Sequence, residues 1–193
     1  NNDPQTGLRG RPKDPAKRQA ILDAAKALFL AQGFSGTSMD AVAAEAGVSK
    51  LTVYSHFSDK ATLFAAAVEA KCQGLMPVPI FSLESDDALP RVLERIGHAF
   101  MELINSEEAI GLERLMNSLA SQDPEMARLF FEVGPERTLK EMERLLIAAR
   151  ERGLVALGDP WGAAELFFGM LQSCRHMQVL IGCAQPPGPA ETE

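Results

Sequence analysis

Apolar residues recur at helical spacing along most of this chain. Ile21, Ala25 and Leu28 follow the spacing of an amphipathic helix. Pro15 favours the start of that helix, and Gly33 favours its end. Val and Ile are sparse, and no alternating apolar and polar run lies between turn signals, so the pattern contains no strand. The sequence therefore predicts an all-α chain of about nine helices. After the first helix, which begins at Pro15, the further helices are predicted to begin at about Ser38 and about Ser49 and to cover 58–73, 88–105, 107–121, 124–133, 135–152 and 160–183.

The segment at residues 35–57 has the pattern of a helix-turn-helix. Thr37 or Ser38 can cap a short helix, and small residues then give that helix an inner face. Gly47 stands where a tight turn between two helices requires a positive φ, which glycine adopts without steric cost. Ser49 is placed to cap the second helix. Many αα-corners share such residues, so the motif by itself indicates DNA binding without proving it.

The second helix of this motif separates into an inner and an outer face. Val53 and Phe57 are four positions apart and are predicted to point inward. The remaining side chains point outward and can bond phosphates and base edges, as in a recognition helix that enters the major groove. These outward residues are Lys50, Leu51, Thr52, Tyr54 and His56.

The distribution of charge is compatible with a nucleic-acid partner although the net charge is −7. Residues 9–60 hold eight Lys or Arg against five acidic residues. Residues 73–193 hold ten against nineteen, so the acidic part discourages loose DNA binding. A solvated basic face with no partner would give the same distribution.

Residues 15–63 resemble the DNA-binding domain of the tetracycline-repressor (TetR) family. The resemblance is carried by Leu28-Phe29, Gly33-Phe34, Thr37-Ser38, Ala43, Ala46-Gly47-Val48-Ser49, Thr52-Val53-Tyr54, Phe57, Lys60 and Leu63. It implies an all-α homodimer that binds a double-stranded operator, with a ligand pocket in its C-terminal part. It also implies repression that is relieved when a small hydrophobic effector binds.

The motif and the resemblance together give a set of predicted DNA contacts. By resemblance, Lys50, Thr52, Tyr54, His56 and Lys60 occupy DNA-facing positions. Leu51 departs from the family, which often has a small residue there, and a leucine facing DNA can contact a thymine methyl group. Asp59 and Lys60 open the next helix, where backbone N–H groups and a lysine could hold a phosphate. The full predicted set is Arg9, Arg11, Thr37, Ser38, Ser49, Lys50, Leu51, Thr52, Tyr54, His56 and Lys60.

Arg9 and Arg11 belong to a basic N-terminal arm, Arg-Gly-Arg-Pro-Lys. Arginine inserts into the narrow minor groove of A·T-rich DNA, and glycine permits close approach. A charged terminus without a partner is the alternative. The predicted organisation is a flexible basic arm at 1–14, a helix-turn-helix domain at 15–60, a helical ligand-binding and dimerisation domain at 61–184 and a disordered tail at 185–193. Residues 77–87 are predicted to be a hinge.

The C-terminal part is predicted to bind an apolar ligand and to dimerise. Seven of the eight Met and six of the ten Phe lie beyond residue 72, and such side chains line adaptable pockets as well as ordinary cores. Helix 160–183 has two apolar stripes, and the second suggests burial against another protomer. The predicted pocket is Phe64, Phe100, Met101, Ile104, Leu112, Met116 and Phe130. The predicted dimer interface is Leu139, Met142, Leu146, Phe167, Phe168, Leu171 and Cys174.

Other classes of protein receive less support from the residues. No cluster of ligands suggests a metal, no constellation suggests an enzyme, and no cofactor is predicted. Cys72, Cys174 and Cys183 are too few for a disulfide framework, and no signal peptide opens the chain, so a cytoplasmic location is expected. The stretch 161–183 carries too many polar residues to span a membrane. A helical carrier or interaction module without DNA activity is the alternative function.

Overall fold

The computed structural model describes residues 14–84 and 87–187, and this part of the chain is helical without a strand. Residues 1–13 of the predicted arm, with Arg9 and Arg11, lie outside it, and so do residues 188–193. The helices are α1 Pro15–Gly36, α2 Met39–Glu45, α3 Lys50–His56, α4 Lys60–Leu75, a 3-10 helix Val78–Phe81, α5 Leu89–Ile104, α6 Glu107–Leu119, α7 Pro124–Val133, α8 Pro135–Glu151, α9 Pro160–Leu171 and α10 Cys174–Leu180. The all-α prediction is confirmed.

Helix α1 begins and ends as its sequence predicts. The Asp14 side chain accepts a hydrogen bond from the Ala16 amide. Pro15 suits the first turn because the N–H group that proline lacks would have no partner within the helix there. Gly33 has φ 74° and ψ 173°, so the regular helix ends there, and a short turn continues to Gly36. Glycine is suited to this position because other residues rarely adopt a positive φ.

An N-terminal apolar cluster joins α1–α4 to α6 and α7. Its centre contains Phe29, Phe34 and Phe64, whose ring centroids lie 5.2–5.7 Å apart. Leu112 of α6 and Met126 of α7 pack into the same cluster. Phe64, which the sequence predicts as a pocket residue, is fully buried among the other aromatic rings.

A second apolar cluster joins α5, α8, α9 and the 3-10 helix. Met142 is fully buried at its centre, and Leu146 and Phe168 are nearly so. Phe81 of the 3-10 helix is also buried in this cluster. The segment predicted as a hinge therefore contains an ordered turn that is packed into the core.

The predicted helix 160–183 is two helices in the structure. Helix α9 ends at Leu171, and the backbone turns at Gln172 (ψ 53°) before α10 begins. Arg114 of α6 holds α10: its Nε donates to the Leu180 carbonyl at 2.8 Å, and its Nη2 donates to the Val179 carbonyl at 2.5 Å. These carbonyls lie at the C-terminal end of α10, where helical partners are missing. A tertiary contact therefore holds the far end of α10, and no glycine or proline lies at the break that precedes this helix.

Candidate nucleic-acid interface and ligand cavity

The turn between α2 and α3 has the geometry of a helix-turn-helix. Gly47 has φ 65°, as its position predicted. The Ser38 hydroxyl accepts from the Ala41 amide, and the Ser49 hydroxyl accepts from the Thr52 amide, both at 3.1 Å. Both serines therefore cap their helices, and the predicted cap of Ser49 is confirmed.

Helix α3 presents one face to the core and one to solvent. Val53 and Phe57 are buried, as predicted. Leu51 is 80% exposed and Tyr54 is 43% exposed, although both are large and partly or wholly apolar. The Leu51 side chain buries little surface in the protomer, and it offers an apolar surface that a thymine methyl group can cover.

Lys50 is held at the edge of this face by Asp40 of α2. The Nζ atom of Lys50 lies 2.8 Å from Asp40 Oδ1 and 5.9 Å from the centroid of the Tyr54 ring. The hydrogen bond to Asp40 raises the pKa of Lys50, so the ammonium is charged at neutral pH. Because the pair is exposed, its net stabilisation is small and a phosphate can replace the carboxylate as partner.

Thr37 and Lys60 have roles inside the protein. Thr37 is 2% exposed, and its hydroxyl donates to the Gly33 carbonyl at 2.8 Å. The prediction that its side chain contacts DNA is therefore wrong. The Nζ atom of Lys60 donates to the carbonyls of Phe34 at 2.6 Å and Thr37 at 2.9 Å, and it lies 4.4 Å from the centroid of the Phe34 ring. Partial burial lowers the pKa of Lys60.

The start of α4 is already capped by a carboxylate. Asp59 Oδ1 accepts from the Thr62 amide at 2.7 Å, and Ser58 donates to Asp59 Oδ2 at 2.9 Å. The hydrogen bond from the Thr62 amide is the main reason why the pKa of Asp59 is lowered. The predicted phosphate site at this N-terminus is therefore occupied by the Asp59 carboxylate.

A cavity of about 500 Å³ lies among α4–α9. Phe100, Ile104, Leu112, Met116 and Phe130, which were predicted as pocket residues, all line it. Met101 and Phe64 do not, because Met101 packs against the second cluster and Phe64 is buried in the first. Further lining residues are Phe131, which the sequence analysis missed, and Leu139 and Phe168, which were predicted for the dimer interface.

The exposed apolar face of α9 and α10 differs from the predicted dimer interface. Met142, Leu146 and Phe168 are buried within the protomer, so their assignment to an interface is wrong. Phe167 and Leu171 pack against the second cluster, whereas Cys174 is exposed. The large apolar side chains that remain exposed on these helices are Leu166 (70%), Met170 (73%), Met177 (59%) and Ile181 (65%).

Helix α6 lies between the cavity and the DNA-binding part. Leu112 and Met116 face the cavity. Gly111 faces α1 so closely that a Cβ atom there would lie 2.6 Å from Leu30 Cδ2. The Nε2 atom of His176 lies 3.2 Å from Glu113 Oε2, and this hydrogen bond joins α6 to α10. One helix therefore lines the cavity and contacts both α1 and the buried face of α10.

The described residues contain no group of His, Cys, Asp and Glu side chains able to hold a metal ion. Within the same residues, no helix is both long and apolar enough to cross a membrane.

Comparisons with known proteins give the same family over both parts of the chain. The profile of bacterial regulatory proteins of the tetR family matches residues 21–67. The profile of the AefR-like transcriptional repressor C-terminal domain matches residues 91–193. The HTH-type transcriptional regulator YdeS of Bacillus subtilis (strain 168), itself uncharacterized, is 39% identical over 71 residues. That match covers 37% of this chain and 36% of YdeS, so it spans about a third of this relative.

Two structures resemble nearly the whole chain. One is a protein from Mesorhizobium loti MAFF303099 assigned to the TetR family, with TM-score 0.76, 31% identity and coverage of 93% of this chain and 91% of that one. The other is the flavonoid-responsive regulator FrrA, with TM-score 0.72 and the same identity and coverages. Together with the geometry of α2 and α3, these likenesses define a helix-turn-helix transcriptional regulator. The chain belongs to the tetR family, and its helix-turn-helix lies within the residues that the tetR profile matches.

Proposed function

We propose that this regulator is a repressor that binds a palindromic operator as a homodimer and is released by a small hydrophobic ligand. The observation that carries the proposal is the course of α4. This helix begins at Lys60, beside the helix-turn-helix, and its later residues Val68, Lys71 and Cys72 line the cavity. A ligand that displaces those side chains also displaces the helix on which α1 packs.

The ligand proposal is supported by the shape and composition of the cavity. A volume of about 500 Å³ is in the range of small-molecule sites, and most of the lining side chains are apolar. FrrA, which is similar to this chain over nearly its whole length, is flavonoid-responsive. The AefR-like profile that matches residues 91–193 describes a repressor domain, which supports repression as the mode of regulation.

The homodimer proposal is supported by the exposed face of α9 and α10. Leu166 and Met170 are one helical turn apart, and so are Met177 and Ile181. Exposed large apolar side chains grouped on adjoining helices mark an interaction surface. A two-fold arrangement of protomers would bury the same face on both and would present two recognition helices to the two halves of a palindrome.

DNA selection with the full chain tests this function. Duplexes enriched from a random library should contain an inverted repeat whose half-sites lie about 34–36 Å apart, one helical turn of DNA. Anisotropy titrations should show that affinity falls linearly with salt on a log–log scale, and a duplex with one half-site should bind far more weakly. Sedimentation should give two protomers per site. Equal affinity for all duplexes, or one protomer on the full site, would contradict the proposal.

A further inference from the structure

We infer that the cavity takes a ring-containing molecule that bears no negative charge and whose polar groups donate hydrogen bonds. This inference rests on the proposed function, because it names the class of ligand for the same cavity. It is drawn from the charges and hydrogen bonds of the lining residues.

The apolar wall of the cavity favours a ring system. Phe100, Phe130, Phe131 and Phe168 line it, and the rings of Phe100 and Phe168 lie 4.5 Å apart between centroids. Aromatic side chains interact with other rings in stacked or edge-to-face arrangements, with an energy beyond that of area burial alone. A flat ring system inserted among four phenylalanines therefore gains more than a flexible aliphatic chain of equal area.

The cavity has no uncompensated cation for an anionic ligand. Lys71 is the one positively charged side chain among the lining residues that the structure describes, and its Nζ atom lies 3.1 Å from Glu108 Oε2. Cys72 also lines the cavity, but burial raises the pKa of its thiol, so the sulfur carries its proton at neutral pH. A carboxylate or phosphate entering the cavity would lose water without gaining a free positive partner.

The other polar groups of the lining are mostly acceptors, although the side-chain amides of Asn117 and Gln172 can both donate and accept. Glu113 and Glu165 contribute carboxylates from facing helices, α6 and α9. The Thr138 hydroxyl donates its proton to the Gly134 carbonyl at 3.2 Å, so its oxygen is left as an acceptor. Ligand groups that donate hydrogen bonds therefore find more partners in this lining than groups that only accept, for which Asn117 and Gln172 are the neutral donors.

His176 fixes Glu113 in this role. Its Nε2 atom lies 3.2 Å from Glu113 Oε2, and its Nδ1 atom is buried without a hydrogen-bond partner among the described residues. The contact with His176 thus orients the Glu113 carboxylate at the cavity wall.

Calorimetric titration of the full chain without DNA tests the inference with probes of one shape. The probes are 9-aminoacridine (a cationic donor), acridine (no donor when neutral) and acridine-9-carboxylate (an anion). Apigenin has phenolic O–H donors and no positive charge, and its trimethyl ether lacks those donors. Comparing the two shows whether a neutral donor is sufficient or whether the cationic amine is required. We expect 9-aminoacridine or apigenin, or both, to bind at least about tenfold more tightly than the matched compound without donors, and the anion to bind weakest.

Variants of the two carboxylates assign the preference to the cavity. Glu113→Gln retains an oxygen that can accept from His176, so the fold should persist, but it removes the charge. It should weaken the donor probe about tenfold and change acridine by less than about twofold. Glu165→Gln, on an exposed side chain, should act in the same direction without touching α10. Glu102→Gln is the control, since Glu102 is exposed on α5 and does not line the cavity.

The outcomes separate this inference from the proposed function. Tightest binding by the carboxylate, an unchanged preference in Glu113→Gln and Glu165→Gln, or no saturable binding of either donor probe would each overturn the inference. The proposed function would still stand if the chain selects a palindrome and another class of ligand releases it.

Discussion

The Leu30 side chain of α1 packs directly against the backbone of Gly111 in α6, where a larger residue would collide with it. A Cβ atom at position 111 would lie 2.6 Å from Leu30 Cδ2, which is shorter than real Cβ contacts. One turn along α6, Leu115 Cδ1 lies 3.8 Å from the Cβ position of Gly33, where α1 breaks. The DNA-binding domain therefore rests directly on a helix that lines the cavity, and a shift of α6 moves α1.

Gly111→Ala should lack the stability gain expected of a glycine-to-alanine change within a helix. That gain is about 0.5–1 kcal/mol, and it should be reduced here because the added methyl requires the end of the flexible, 38% exposed Leu30 side chain to shift. Gly97→Ala is the matched control, because a Cβ there would make ordinary contacts at 3.7–3.8 Å with Phe167 and Leu171. Urea unfolding should rank Gly97→Ala above Gly111→Ala, and Leu30→Ala should remove the difference. The reverse ranking would show that α1 and α6 are not in close contact.

Lys60→Met should destabilise the fold by about 1–3 kcal/mol. The change keeps most of the apolar stem but removes the hydrogen bonds from Nζ to the carbonyls of Phe34 and Thr37. Lys26→Met is the control, because it removes an i,i+3 ion pair with Asp23 on the same helix and should cost less than about 1 kcal/mol. Thermal unfolding measures both. If Lys60→Met has unchanged stability but binds DNA more weakly, Lys60 contacts a phosphate, as the sequence predicted, and does not stabilise the fold.

The sequence predicts elements that depend on local chemistry. Gly33 and Gly47 have the positive φ that an abrupt helix end and a tight turn require, and Ser49 caps α3. Residues 124–133 form a helix with the predicted bounds because Asp123 caps it and Gly134 follows it. In each case the residue type determines the backbone within a few positions.

Predictions fail where a residue's role depends on distant parts of the chain. Helical spacing shows that α9 has two apolar stripes, but only packing against α5 and α8 determines that Phe168 faces inward and Met170 outward. Thr37 has the residue type of a DNA contact, yet its hydroxyl bonds to the carbonyl of Gly33. The position of α10 involves Arg114, which is separated from the Leu180 carbonyl by 66 residues.

Leu51→Ala should reduce discrimination between operator and unrelated DNA. A contact with a thymine methyl group contributes to sequence preference, whereas the electrostatic part of binding comes from phosphates. Anisotropy titrations should therefore show weaker operator binding, an unchanged affinity for unrelated duplex and an unchanged salt slope. Leu154→Ala, which alters an exposed leucine after α8, should leave all three values unchanged. Equal discrimination by the wild type and Leu51→Ala would place Leu51 away from the bases.

Met170→Glu should prevent formation of the proposed homodimer without unfolding the protomer. Met170 is 73% exposed in the protomer, so a charge there is tolerated until the second protomer covers it. Phe168→Glu should instead unfold the protein, because Phe168 is buried. Sedimentation velocity and circular dichroism distinguish these results, with Leu154→Glu as a surface control. A folded Met170→Glu dimer with wild-type affinity would remove α9 from the interface.

The central claim, that an occupant of the cavity lowers operator affinity, is tested most directly by linkage. A compound that raises the Tm of the full chain is titrated by calorimetry into the free protein and into its complex with the selected operator. Because coupling between two sites is reciprocal, the operator should weaken the compound by the factor by which the compound weakens the operator, typically about 5–150-fold. Equal affinities of the compound for free and operator-bound protein would contradict the account.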